Sequence, residues 1–207
     1  MTHRSDLDHW NSRFAGEDYV FGTEPNRFLA AQAPRLPRRG RALTIADGEG
    51  RNGVWLARQG LEVTSVEFAP AAIAKARRLA DQQGVSLDIV QADLATWDWG
   101  APRFDVVAGI FFQFAGPDLR DVIFRRMQEV LLPGGLLLIE GYTPAQLRHG
   151  TGGPSQVENL YTEALLRDAF AGMEILHLAE YETDLREGSR HAGRSAVIDL
   201  VACRPMG

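Results

Sequence analysis

The stretch Ala42 to Ala57, ALTIADGEGRNGVWLA, constrains this chain more than any other: an apolar run ends in a glycine-rich turn, and a helix-like pattern follows at once. Open α/β sheets build ligand crevices at such junctions. Gly48 and Gly50 are free to take positive φ and let the backbone approach a ligand, while the helix behind them directs unpaired N–H groups into the same space. Leu61 to Glu67, LEVTSVE, reads as a second strand ending in an acid, 17 residues after Gly50, where nucleotide-type sites hold a ribose. The spacing points to an adenosine-containing ligand.

From Arg41 onward strand-like and helix-like segments alternate, the pattern of a parallel sheet covered by helices, so the fold class is α/β. Strands are expected at Ala42 to Ala46, Glu62 to Glu67, Ser86 to Gln91, Phe104 to Ile110, Gly135 to Gly141, Met173 to Tyr181 and Ser195 to Ala202. Helices are expected at Gly53 to Gln59, Pro70 to Gln83, Leu119 to Leu131 and Thr162 to Ala171, where apolar residues recur three and four apart. With 207 residues, 45% of them hydrophobic, the chain suffices for one substantial core, and a single domain over 1–207 is expected. Two segments fall outside the alternation. They are an aromatic-rich N-terminal flap over 1–40, ending in the connector PRLPRRGR, and a glycine-rich loop over 142–161 on the substrate side.

A net charge of -5 argues against a nucleic-acid surface, which needs clustered Lys and Arg. The single cysteine, Cys203, gives no internal disulfide and no sign of an oxidising compartment. There is no apolar run long enough for a membrane span, and the opening MTHRSDLDHW lacks a signal-peptide core, so a cytoplasmic protein without membrane contact is expected. Lys75 is the sole lysine among many arginines; this reads as base composition and carries no mechanism. Metal-ligand spacing, a G-x-x-x-x-G-K-[ST] phosphate loop and a G-x-S-x-G nucleophile turn are all missing.

Taken together, the turn, the second-strand acid, VQAD ending at Asp93, FDVVAGIFFQF and LLPGGLLLIEGY resemble the class I S-adenosylmethionine-dependent methyltransferases over roughly residues 41 to 141. The opening WNSRFAGEDYVFGTEPNRFL, the turn GEGRNG and the closing HAGRSAVIDLVA are similar to the tellurite-resistance and thiopurine methyltransferase branch, which extends the resemblance over nearly the whole chain. The resemblance implies a Rossmann-like seven-stranded mixed sheet flanked by helices, its last strand antiparallel and inserted beside the fifth. It further implies S-adenosyl-L-methionine as cofactor, with Ala46, Gly48 and Gly50 beneath the methionine moiety, Glu67 on the ribose hydroxyls, Asp93 and Leu94 at the adenine amino group, and Phe68 and Ile110 along the ring. The donors of ribose and adenine match carboxylate acceptors at two strand ends.

Two positions depart from the family pattern, which has an acid where Thr44 stands and a glycine where Ala46 stands. Asp47 either replaces that acid near the ligand's ammonium or serves the turn itself. Asn52 and Arg51 match the branch, or cap and brace the helix start. Trp10, Tyr19 and Phe21 either cover the cofactor's sulfonium with aromatic faces or form a flap packed on the sheet edge. His191 and Arg194, in RHAGR, are the catalytic candidates by resemblance, with a structural hairpin as the other reading of His191. Tyr142, His149, Tyr161 and Arg190 are substrate-pocket candidates around the glycine-rich loop.

Methyl transfer from a sulfonium depends on alignment more than on a strong base, so the expected acceptor is a small soft nucleophile: a thiol, selenite, tellurite or thiopurine. A hydroxyl acceptor would need a base such as His191. Two rivals share the glycine turn and strand-end acid: an NAD(P)-dependent oxidoreductase, which should show six parallel strands, and a non-catalytic protein that binds an adenosine ligand. Monomer and homodimer are both compatible with the sequence.

Overall fold

The sheet centre forms where the chain is apolar on both faces. Strand β1 (Arg41–Ile45) is buried from its second residue on and pairs in parallel with β2 (Glu62–Glu67) on one side and β4 (Phe104–Ile110) on the other. Burial on both faces is what a parallel strand between two helical layers requires, and it explains the unbroken apolar runs. The computed structural model describes residues 3–206; Met1, Thr2 and Gly207, the outer limits of the expected domain, lie outside them. The full order is β3-β2-β1-β4-β5-β7-β6, with β3 at Leu87–Gln91, β5 at Leu131–Tyr142, β6 at Glu174–Glu187 and β7 at His191–Cys203. Strand β7 runs antiparallel between β5 and β6, so the expected seven-stranded mixed sheet with its reversed last strand is the fold.

Helices α5 (Pro117–Glu129) and α6 (Glu163–Ala169) cover one face, packing Ile123, Phe124, Met127 and Leu166 onto Leu43, Val107, Leu137 and Leu200. Helices α2 (Arg27–Ala31) and α3 (Arg51–Arg58) cover the other through Phe28, Leu29 and Leu56, and α4 (Pro70–Gln83) packs outside α3 through Leu79 and Ala80. Local chemistry sets the ends: Pro70 opens α4, Gly84 closes it in the left-handed conformation, and Asn26 caps α2 by accepting from Leu29 N–H. No helix among the described residues is long and apolar enough to cross a membrane.

Three differences from the sequence reading matter for the site. The N-terminal flap contains a helix of its own, α1 (His3–Phe14), and α2 follows it. Strand β5 begins at Leu131, four residues early, because LLPGG continues the strand through a register shift opposite Phe104 and Val106. The β6–β7 hairpin runs out to Glu187 and His191 instead of stopping near Tyr181 and Ser195. Its outer part, ETDLREGSRHAGR, is an edge ribbon with mostly solvated faces and lacks the apolar alternation that marks a strand in sequence.

Candidate active site

The turn after β1 is a run of left-handed residues: Ala46 has φ 48°, Gly48 φ 59° and Gly50 φ 87°. At Ala46 this conformation costs about 1 kcal/mol that a glycine would not, which is the physical content of the family's preference there. Two buried carboxylates clasp the turn. Glu67, at the end of β2, accepts from Gly48 N–H at 2.8 Å and from Phe68 and Ala69 N–H at 2.8 Å each. Asp47 accepts from Gly53 N–H at 2.9 Å and from the Ser65 hydroxyl at 3.4 Å, reaching back beneath the start of α3. Burial raises both acids above the usual carboxylate range, Asp47 to about 7 against the opposing pull of Gly53 N–H and Arg51.

Asp93 follows β3, and its Oδ1 accepts from Ala95 N–H at 2.9 Å. Ile110 ends β4 next to the turn, Phe68 is half-buried beside Glu67, and the Leu94 side chain is packed in the main core. An adenosine-type group, whose ribose hydroxyls and adenine amino group donate, fits this set of carboxylate acceptors. Glu67 is aimed by three N–H groups and, as a carboxylate with about four acceptor positions, keeps capacity for a hydroxyl donor. Gly48 leaves the turn open toward the Phe14 ring, which would stand 3.5 Å from a side chain there.

The N-terminal flap closes over this turn. Phe14 is buried against Ala69 and Ala72, Trp10 stacks on it at 5.9 Å, and Phe21 meets it edge-on at 6.0 Å. Of the three aromatic candidates, Trp10 and Phe21 are thus placed above the cleft. Tyr19 is not: its hydroxyl donates to Lys75 C=O at 3.1 Å and its ring packs on the α3–α4 cluster, because Lys75 and the helix backbone offer it a polar and an apolar partner on the outside. Asn52 is also turned to the flap, its side-chain oxygen accepting from Asn26 N–H at 2.9 Å, so it braces the segment and does not face the turn.

Lys75 was the residue from which the sequence yields no mechanism, and here the structure corrects the reading. Its ammonium is almost fully buried, 2.7 Å from Glu49 Oε1. The two Glu49 oxygens accept from Val20 and Phe21 N–H at 3.1 Å each, which bolts the flap to the glycine turn itself. The helical register carried the signal: Lys75 lies between Ala72 and Leu79 on the buried face of α4.

A second polar cluster ties the flap to the hairpin. Arg51 Nη2 pairs with Glu187 Oε2 at 2.6 Å, both side chains buried, and Asn26 Nδ2 donates to Glu187 and to Glu140. Gly188 lets the hairpin tip lie against the flap backbone, since a side chain there would stand 2.5 Å from Phe21 Cα. The tip therefore carries His191 inward, between Phe21 at 4.5 Å, Phe111 at 4.4 Å and Tyr142 at 5.8 Å between ring centroids. Phe111, at the end of β4, holds φ 54°, a strained conformation for an aromatic residue and one that turns its ring onto Tyr142 at 4.6 Å.

His191 Nδ1 and the Tyr142 hydroxyl in this aromatic cluster are both shut off from solvent, with no hydrogen bond to any described residue. Burial, together with Arg51 and Arg13, pushes His191 down to about 3, so its imidazole is neutral. Over Tyr142 lies the glycine-rich loop, with Gly152 and Gly153 directly on the ring. Gln146 Nε2 donates to Thr151 and to Gly152 C=O, and the Thr151 hydroxyl bonds Arg194 C=O at 2.6 Å, so the loop is pinned to β7.

Three of the expected substrate or catalytic residues lie elsewhere. Tyr161 is fully buried in the main core between Phe112 and Phe124, because its ring completes the α5 layer. Arg194 points outward to Glu182 at 3.0 Å, and His149 Nε2 stands 3.4 Å from the same carboxylate, since residues alternate faces along the exposed ribbon. The Arg190 carbonyl abuts Gly152 and its charge reaches Arg13, at the rim of the cluster.

Sheet order, glycine turn and strand-end acids together make a Rossmann-like α/β fold with a seven-stranded mixed sheet and a crevice at the carboxyl ends of β1 and β2. Residues 42–135 match the family model described as a methyltransferase domain. The chain is similar to a demethylmenaquinone methyltransferase of Thermus thermophilus, 31% identical over 106 residues, which are 50% of this chain and 48% of that protein; it spans about half the length of the curated relative it matches. Among solved structures, one that describes the conversion of a disulfide bond into a thioacetal group during echinomycin biosynthesis superposes with a TM-score of 0.76 at 20% identity, covering 100% of this chain and 94% of that one. The N-methyltransferase NodS of Bradyrhizobium japonicum, in complex with S-adenosyl-L-homocysteine, superposes with a TM-score of 0.72 at 15% identity over 96% and 98%. At these identities the likeness is one of fold.

Proposed function

We propose that the chain transfers a methyl group from S-adenosyl-L-methionine to a small soft nucleophile, a thiol, selenite, tellurite or thiopurine, as the tellurite-resistance and thiopurine branch does. When bound, this donor supplies a methyl group already activated on a sulfonium. The chain's own residues then have three tasks. Glu67, Asp47 and the turn hold the donor, with Asp93 at its adenine end; Trp10, Phe14 and Phe21 exclude water above it; His191, Tyr142 and Phe111 shape the place where the acceptor stands.

The observation that carries the soft-acceptor reading is the state of His191. An imidazole pushed down to about 3 is a weak base, unsuited to taking a proton from a hydroxyl acceptor. A thiol near neutral pH, or an oxyanion of selenium or tellurium, brings its own ionised or lone-pair nucleophile. Arg13, whose charge acts on His191, and Arg190, whose charge acts on Arg13, favour an anionic acceptor over a cationic one at this rim. The antiparallel β7 speaks against the nicotinamide-dependent rival, whose sheet has six parallel strands.

The test is incubation of the protein with methyl-labelled S-adenosylmethionine and, separately, tellurite, selenite, small thiols, thiopurines, phenols and amines. Label is expected on at least one of the first four. Label on phenols or amines alone would contradict the soft-acceptor reading.

A further inference from the structure

Behind the active site, on the face covered by α2, a cavity of about 440 Å³ opens between α2, the helical turn Ala33–Arg35 and strands β5, β7 and β6. Its chemistry is graded from floor to mouth. Glu140 and Asp199 stand directly opposite each other in the β5–β7 register and are 2% and 5% exposed. The Tyr181 hydroxyl donates to Asp199 Oδ2 at 2.8 Å, and Asn26 Nδ2 donates to Glu140. Asp199 Oδ1 is buried, and among the described residues no N–H or hydroxyl reaches it; the group the Asp199 carboxyl faces is the carboxyl of Glu140. Phe28 and Leu185 form apolar walls, and Arg27, Arg35, His177 and Thr183 line the rim. Arg27 and Arg35 are exposed, and neither guanidinium forms an ion pair with a described residue.

We propose that this cavity binds a small α-amino acid or amino-acid-like zwitterion, with its ammonium on the Glu140–Asp199 floor and its carboxylate on Arg27 and Arg35. Burial raises both facing acids, and the charge of Asp199 raises Glu140 further, so the pair holds one proton between them unless another donor enters. An ammonium brings three N–H donors to that place, satisfies Asp199 Oδ1, and sends the shared proton to solvent. Arg51 does not already do this, because its charge is committed to Glu187. The guanidinium forks at the mouth match a carboxylate, and the apolar walls leave room for a side chain. This site is separate from the glycine turn and does not depend on the reading of the acceptor.

The experiment uses the full chain saturated with S-adenosyl-L-homocysteine, so that the glycine turn is filled, and titrates each coded amino acid at millimolar concentration by calorimetry. The tightest binder is then compared with its decarboxylated amine and its deaminated acid. Saturable binding by at least one amino acid is expected, weakened about tenfold or more in Asp199→Asn and in the double variant Arg27→Ala/Arg35→Ala, with the amine and the acid each weaker than the parent. The arginine pair is exposed, so that variant decides the matter even where Asp199→Asn fails to fold, as checked by circular dichroism. No saturable binding by any amino acid, equal affinity of the amine, or unchanged affinity in the arginine variant would overturn the proposal.

Discussion

Burial displaces Asp47 and His191 in opposite senses. Asp47 is raised from the usual range to about 7, so the folded chain binds a proton that the unfolded chain has released. Its contribution to stability is complete below about pH 4 and is lost as pH rises through about 7. Asp47→Asn, which keeps the acceptor for Gly53 N–H, should therefore remove roughly 3 kcal/mol of the stability loss between about pH 5 and about pH 8, measured by denaturant titration. His191 is held down to about 3, so its contribution is present above about pH 6.5 and is lost as pH falls toward 3. The variant His191→Asn should be less sensitive to acid over that interval. Turnover with a thiol should follow the acceptor's own ionisation, with no inflection from a histidine near pH 6.5; an inflection there that disappears in His191→Asn would show a titrating base and argue for a hydroxyl acceptor.

At the scale of elements, the flap is a latch. Its backbone is held through Glu49 and Lys75 on the side of the turn, and through Asn26, Glu187 and Arg51 on the side of the hairpin. Removing one partner of a buried ion pair strands the other, at a cost of about 3 to 5 kcal/mol. Lys75→Met should accordingly release residues 15–25, read as faster amide exchange there than in β1 or β4, and should weaken closure on the cofactor; exchange unchanged in that segment would count against the latch. The elements that the sequence made legible are those with a strong period or a strong end signal. Strand β2, strand β4 and helix α4 lie where the apolar pattern, Pro70 and Gly84 put them. The hairpin tip and the flap helices were not legible, because their residues are held by specific polar pairs between segments distant in sequence. Trp10 and Phe14, four apart on one face of α1, were the one local hint that a helix covers the turn. Phe111 and Arg13 had no such hint: a positive φ on an aromatic residue and an arginine field acting across space are properties of the assembled site.

For the whole molecule, the same sheet supports several reactions, and what distinguishes them is the furniture at the carboxyl ends of the strands. Here the reversed strand β7 acts in two ways. It separates the fold from that of the nicotinamide enzymes, and with β6 it forms the arm that brings His191 back over the cleft. The resemblance read from motifs placed Glu67, Asp93 and the glycine turn together, and the structure brings them to adjoining strand ends. It scattered Tyr161 and Arg194 away from them, because one completes a core and the other faces solvent. The proposed function rests on the turn and Glu67 as the cofactor site. The most direct measurement is calorimetric titration of S-adenosyl-L-homocysteine and of NAD into the wild-type protein and Glu67→Ala. Binding of S-adenosyl-L-homocysteine, weakened by roughly 1.5 to 3 kcal/mol in the variant, and no binding of NAD are expected. Unchanged affinity in Glu67→Ala, or NAD binding to the wild-type chain, would contradict it.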